Sequence, residues 1–254
     1  MATTSGTDND DILVGTNGVD TINGGAGNDT ITGGLGFDTL NGGAGNDIFI
    51  ITEDEFVDQA GYLYSLNGIT TSYTSDLLTV DNISGGDGTD TLYLKMDGYL
   101  SMHTVYFPEA SLSGIETVDI DGSPDRVNIA VDASVWNSVD NWNLHNNYYT
   151  YSYLWILGDG SDVNLDTLES AFDTDGWPVS FFGSFDDVDI TNTVATIGSY
   201  SIDSLNSFTG SAADDLVTVR DNDFDFSGGN GNDKLTIDYE AYTDINYNKG
   251  YFYT

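Results

Sequence analysis

Residues 6–50 read GTDNDDILV, GTNGVDTIN, GGAGNDTIT, GGLGFDTLN and GGAGNDIFI, five nonapeptides in unbroken succession. Asp returns at 11, 20, 29, 38 and 47, and an apolar side chain follows two places later at Leu13, Ile22, Ile31, Leu40 and Phe49. A short fixed period marks a solenoid, whose units stack because none can bury its apolar face alone. The last three residues of each unit suit a short strand with its one large apolar side chain turned inward. The glycines before them suit turns that a side chain would forbid. Nine residues make half a coil, and eighteen return the chain to the same side, one strand spacing of about 4.8 Å along the axis. Asp11, Asp29 and Asp47 therefore line one edge, and Asp20 and Asp38 the other.

Charge gives this spacing its meaning. The chain carries 42 acidic against 5 basic residues, a net charge of -37, and a compact state with that self-repulsion needs cations. All but six of the acids are Asp, the short carboxylate that suits tight turns and hard-cation ligation. An ion between stacked turns takes one Asp from each together with backbone carbonyls, approaching the oxygen shell that calcium accepts. The expected pairs are Asp11 with Asp29, Asp29 with Asp47, and Asp20 with Asp38. Read without an ion, the same units are plain Asn-Gly and Gly-Asp turns. One buried apolar side chain per nine residues is too little to offset the entropy of ordering them, so residues 1–51 are expected to be largely disordered without calcium and to fold when it binds.

The repeated pattern G-G-x-G-x-D-x-U-x resembles the RTX family of secreted calcium-binding proteins, most closely in units three to five. The resemblance implies that the carbonyls of Gly25, Gly27, Gly34, Gly36, Gly43 and Gly45 complete the shell around Ca²⁺. The first unit departs from it, with Thr7 and Asn9 where Gly is usual, and reads as a weaker site or an end cap.

Beyond residue 51 the beat of nine is lost, and 52–84 reads as an irregular insert. It returns once as GGDGTDTLYL, with Asp90 in the ligand position, a lone turn without an evident stacked partner. Near the C-terminus GSAADDLVT, VRDNDFDFS and GGNGNDKLT follow one another from Gly210, which sets Asp215 and Asp233 one full coil apart as a further candidate pair. Between these lie alternating segments at 112–122, 125–136 and 138–147, which read as strands, while LDTLESAFD at 165–173 has a helical spacing. Residues 85–238 are loosely similar to RTX surface-layer and adhesin proteins, which implies that the solenoid continues. The expected fold is all-β: a parallel β-roll over 1–51, the insert at 52–84, and an irregular β-solenoid over 85–254.

Composition narrows the function. Cysteine is absent, which excludes disulfide scaffolds and thiolate metal sites. The lack of a basic patch argues against nucleic acid and anionic membrane as partners, and no apolar run approaches the ~20 residues of a membrane span. The opening MATTSGTDND has neither a basic nor an apolar signal region, so no conventional signal peptide is expected. His103 and His145 sit outside any H-E-x-x-H motif, and there is no G-x-S-x-G elbow; a non-enzymatic role is expected. Tyr149, Tyr151, Tyr153 and Trp155 alternate along one stretch, which suits either a covered sheet face or a stacking platform for sugar rings. The expected function is an extracellular or cell-surface calcium-binding structural protein that takes part in a surface layer, matrix or adhesive assembly. The rivals are a module that binds a cell-surface glycan, and a polysaccharide-modifying enzyme with RTX units attached.

Overall fold

In the computed structural model the described residues are 1–52, 77–96, 103–122, 127–146, 154–159, 162–164, 179–189, 200–202, 204–209, 216–219, 225–229, 234–237 and 250–253. The nonapeptides form β1 (Thr3–Ser5), β2 (Ile12–Val14), β3 (Thr21–Ala26), β4 (Thr30–Thr32), β5 (Thr39–Ala44) and β6 (Ile48–Thr52). Odd and even strands belong to two different parallel sheets. Thr21 pairs with Thr39, and Ile12 with Thr30, a step of two nonapeptides in both sheets. Inward side chains alternate with outward ones as strand geometry requires, which buries Ile22, Ile31, Leu40 and Phe49 almost completely. Leu13, in the first coil, is only partly covered.

The next strands are β7 (Leu77–Thr79), β8 (Asn82–Asp87) and β9 (Thr91–Met96). Thr39 pairs with Asn82 and Ile48 with Thr91. The ladders therefore continue past residues 53–76, with β8 on β5 and β9 on β6. This corrects the reading of 52–84 as insert, because residues 77–84 already belong to the solenoid. Asn82 and Ile83 repeat the outward and inward places of Thr39 and Leu40, which pulls this stretch into register.

From β7 to β12 each coil passes through a third sheet. The chain runs through β10 (His103–Phe107), β11 (Leu112–Ser113), β12 (Thr117–Gly122), β13 (Val127–Asp132), a single helical turn α1 (Ala133–Trp136) and β14 (Asn141–Asn146). It continues as β15 (Leu154–Asp159), β16 (Val163–Asn164), β17 (Val179–Asp189), β18 (Tyr200–Ile202), β19 (Ser204–Thr209), β20 (Leu216–Val219), β21 (Asp225–Ser227), β22 (Lys234–Ile237) and β23 (Gly250–Tyr253). The first sheet is ordered β1-β3-β5-β8-β11 and the second β14-β12-β9-β6-β4-β2. A third follows β21-β19-β17-β15-β13-β10-β7, and a fourth β18-β20-β22-β23. Among the described residues every pairing is parallel except that of β22 with β23.

The step between paired strands lengthens in this part, where Thr117 pairs with Asn141 and Leu154 with Val179. It returns to two nonapeptides where Leu216 pairs with Lys234. The all-β roll and solenoid expected from the repeat is the observed architecture. The segment 125–136, read as strand throughout, is strand only to Asp132 and then turns once as helix. The helical spacing at 165–173 lies outside the described residues.

Candidate metal centre

The aspartates of the repeat stand in two columns. On one edge the backbone N–H of Asp11 donates to Asp29 Oδ1 (2.8 Å), that of Asp29 to Asp47 Oδ1 (2.8 Å), and that of Asp47 to Asp90 Oδ1 (2.7 Å). Asp90 N–H donates in turn to Glu116 Oε2 (2.7 Å). On the other edge Ala2 N–H donates to Asp20 Oδ1 (2.6 Å), Asp20 N–H to Asp38 Oδ1 (2.7 Å), and Asp38 N–H to Asp81 Oδ1 (2.8 Å). Each carboxylate after Asp11 thus uses one oxygen to hold the coil before it.

The second oxygen separates two kinds of loop. Oδ2 of Asp29, Asp38, Asp47 and Asp90 is buried and accepts no hydrogen bond. An anionic oxygen shut away from water without a partner costs free energy unless a cation meets it. In the first two units the same oxygen is served: Thr7 donates to Asp11 Oδ2 from N–H (2.6 Å) and from Oγ1 (2.8 Å). Thr16 serves Asp20 Oδ2 likewise, at 2.7 and 2.6 Å.

Backbone conformation follows the same division. Gly25, Gly27, Gly34, Gly36, Gly43 and Gly45 all take positive φ, between 89° at Gly34 and 137° at Gly36, where other residues are strained. A Cβ at Gly25 would also strike the carbonyl of Thr7 in the preceding coil, and one at Gly43 the carbonyl of Gly25. One at Gly24 would meet both Asp29 Oδ2 and the carbonyl oxygen of Gly42. The loops are therefore packed backbone on backbone, which sets peptide carbonyls beside the bare carboxylate oxygens. That donor set, short carboxylates with peptide carbonyls, suits a hard cation such as calcium.

Electrostatics agree with a missing positive charge. Burial raises the carboxyls of Asp38, Asp47 and Asp90 above their ordinary value, and the neighbouring acid of the same column adds to it. Burial, with the charge of Asp38, pushes Asp81 up to about 7. Asp20 goes the other way, lowered first by the Thr16 hydroxyl and then by the Ala2 N–H. A divalent cation between such groups reverses the upward shifts, because it favours the ionised form.

Two members of the columns escaped the sequence reading, Asp81 and Glu116. Counting nine back from Asp90 reaches Asp81, with Ile83 two places on, so a signal existed inside the stretch where the beat appeared lost. Glu116 stands two places before Val118 in the same way, but a Glu does not match an Asp pattern. Asp90, taken for a lone turn, has its stacked partner in Asp47, 43 residues earlier. The candidates Asp215 and Asp233 lie outside the described residues, as do Tyr149, Tyr151 and Tyr153. Among the described residues no three acids or histidines gather on one point, so any ion here is completed by carbonyls. His103 and His145 sit on β10 and β14, apart from the columns.

Comparison with known proteins agrees with this geometry. The RTX calcium-binding nonapeptide repeat family matches in four copies, over residues 5–40, 27–50 and 80–95. The last span contains Asp81 and Asp90, the two acids that stack on Asp38 and Asp47 of the roll. No curated protein and no solved structure matches the chain. The chain carries RTX calcium-binding nonapeptide repeats over residues 5–50 and 80–95, and such repeats bind Ca²⁺.

Proposed function

We propose that this chain is a non-catalytic extracellular structural protein that folds on Ca²⁺ and takes part in a surface layer, matrix or adhesive assembly. The supporting observation is the row of buried carboxylate oxygens, in Asp29, Asp38, Asp47 and Asp90, with no hydrogen-bond partner. With its coils closed by cations, such a chain stays unfolded where calcium is scarce and folds where it is plentiful. Under this reading residues 1–51 are the calcium-binding roll and the rest of the chain is the body presented outside the cell. The stacked acids beside the ions are Asp11, Asp29, Asp47 and Asp90 in one column and Asp20, Asp38 and Asp81 in the other.

Circular dichroism and light scattering in millimolar calcium and in EDTA test it together. The expected result is gain of β signal followed by growth of particle size in calcium. A folded particle of unchanged size in both conditions would reject the reading.

One observation favours a second reading, a glycan-binding module. The outward columns of the first sheet are Thr3, Thr21, Thr39 and Asn82, and beside them Ser5, Asn23, Asn41 and Ser84. All are uncharged hydroxyl or amide groups, on a chain of net charge -37. Co-sedimentation with a neutral polysaccharide, in calcium and without self-assembly, would favour it.

A further inference from the structure

We infer that the first two nonapeptide loops, 7–11 and 16–20, are closed by threonine hydroxyls in place of cations, so that metal positions begin at Asp29 and Asp38. The inference rests on the calcium reading above and concerns which loops take the ions. The second loop makes the case most fully. Asp20 is 2% exposed, and both of its carboxylate oxygens are served, Oδ1 by Ala2 N–H and Oδ2 by Thr16 N–H and Oγ1. The Thr16 hydroxyl also receives Gly18 N–H at 3.4 Å, as Thr7 Oγ1 receives Asn9 N–H at 3.2 Å. The hydroxyl therefore lies inside the loop, against the oxygen that is bare in Asp29, Asp38, Asp47 and Asp90.

The reason is one residue per unit. Where Gly25, Gly34, Gly43 and Gly86 take positive φ, threonine stands at the same place in units one and two, and neither Thr7 nor Thr16 adopts that conformation. Its N–H consequently faces the carboxylate, and a charge-assisted pair of donors does what the ion does elsewhere. Gly18, in the fourth place of its unit, also lacks the positive φ of Gly27, Gly36 and Gly45. Loop 16–20 is thus a self-satisfied turn, a metal-free first coil on which the later loops stack.

The test uses the full chain and counts bound calcium by equilibrium dialysis, with circular dichroism in calcium to establish that each variant is folded. Asp20→Asn is expected to bind as many ions as the unmodified chain, and Asp38→Asn at least one fewer. Thr16→Gly turns the second unit into GGNGVDTIN and is expected to bind one more. Loss of an ion in Asp20→Asn equal to that in Asp38→Asn would overturn the inference, as would a folded Thr16→Gly that gains none. Should Thr16→Gly fail to fold, the two Asn variants decide, since the Asn carbonyl keeps an acceptor for the N–H of the preceding coil. An unmodified chain that binds no calcium overturns the calcium reading and this inference with it, whereas failure of the Asn comparison alone leaves the calcium reading standing.

Discussion

The roll of residues 1–52 and the stretch from β10 to β17 share one backbone device, the parallel ladder, yet they fill their interiors differently. Coils of two nonapeptides leave room between two sheets for one apolar side chain per half turn, and Ile22, Ile31, Leu40 and Phe49 take it. Their corners are occupied by buried aspartates: Asp20, Asp29, Asp38, Asp47, Asp81 and Asp90 are all within 5% of full burial. The longer coils pair Thr117 with Asn141 and Leu154 with Val179, and their interior holds aromatic rings. Trp136 stacks on Trp142 at 4.8 Å, Phe107 meets Trp142 edge-on at 5.4 Å, and Phe181 meets Phe185 at 5.5 Å. The indole N–H groups are served there by the carbonyls of Asn164 and Trp136. A parallel solenoid can thus be closed by ions at its corners or by rings in its centre, and the length of each turn decides which.

Calcium removal should separate the two regions most sharply. In EDTA, hydrogen exchange is expected to lose protection over 21–50 and to keep far more of it over 127–146; equal loss in both would erase the distinction. The converse experiment is Trp142→Ala, expected to cost about 3–5 kcal/mol because it empties the centre of the wide coil. Its effect should be read in thermal melts and persist at saturating calcium.

Protons should partly replace the ions. Asp81 is held up at about 7 when folded, against about 3.9 unfolded. Between those values the folded state binds more protons, so its contribution is fully present below pH about 4 and is lost as pH rises through about 7. In EDTA, acidification from pH 7.5 to 4 should therefore favour the folded roll, by up to about 4 kcal/mol from this group, and restore part of its β signal. In calcium the gain should vanish, because protons and ions compete for the same oxygens. A β signal in EDTA that does not rise on acidification would contradict the burial of Asp81.

The smallest effect expected is that of Asp47→Ala. It strands the Asp29 N–H, worth about 1–3 kcal/mol, and should also lower the calcium count without disturbing the Trp136–Trp142 stack. Tryptophan fluorescence and calcium binding measured on one sample would check both.

Much of the roll was legible because a period of nine states its own geometry: each Asp and each inward Leu, Ile or Phe from 11 to 49 stands in the column that the spacing requires. What escaped were Asp81 and Glu116, the first hidden where the glycines are missing and the second by an extra methylene. The partner of Asp90 was invisible for a different reason, since 43 residues separate it from Asp47 and only pairing in space brings the two together.

The repeat by itself determined the coil of two nonapeptides, its inward row and the two acidic edges, because strand alternation and glycine turns are local properties of the chain. Only the tertiary structure decided which carboxylate oxygens are bare and which are served by Thr7 and Thr16, where the third sheet begins, and how β8 and β9 rejoin the roll. Those outcomes depend on which atoms of distant coils come within hydrogen-bond reach, and a linear pattern does not carry that information.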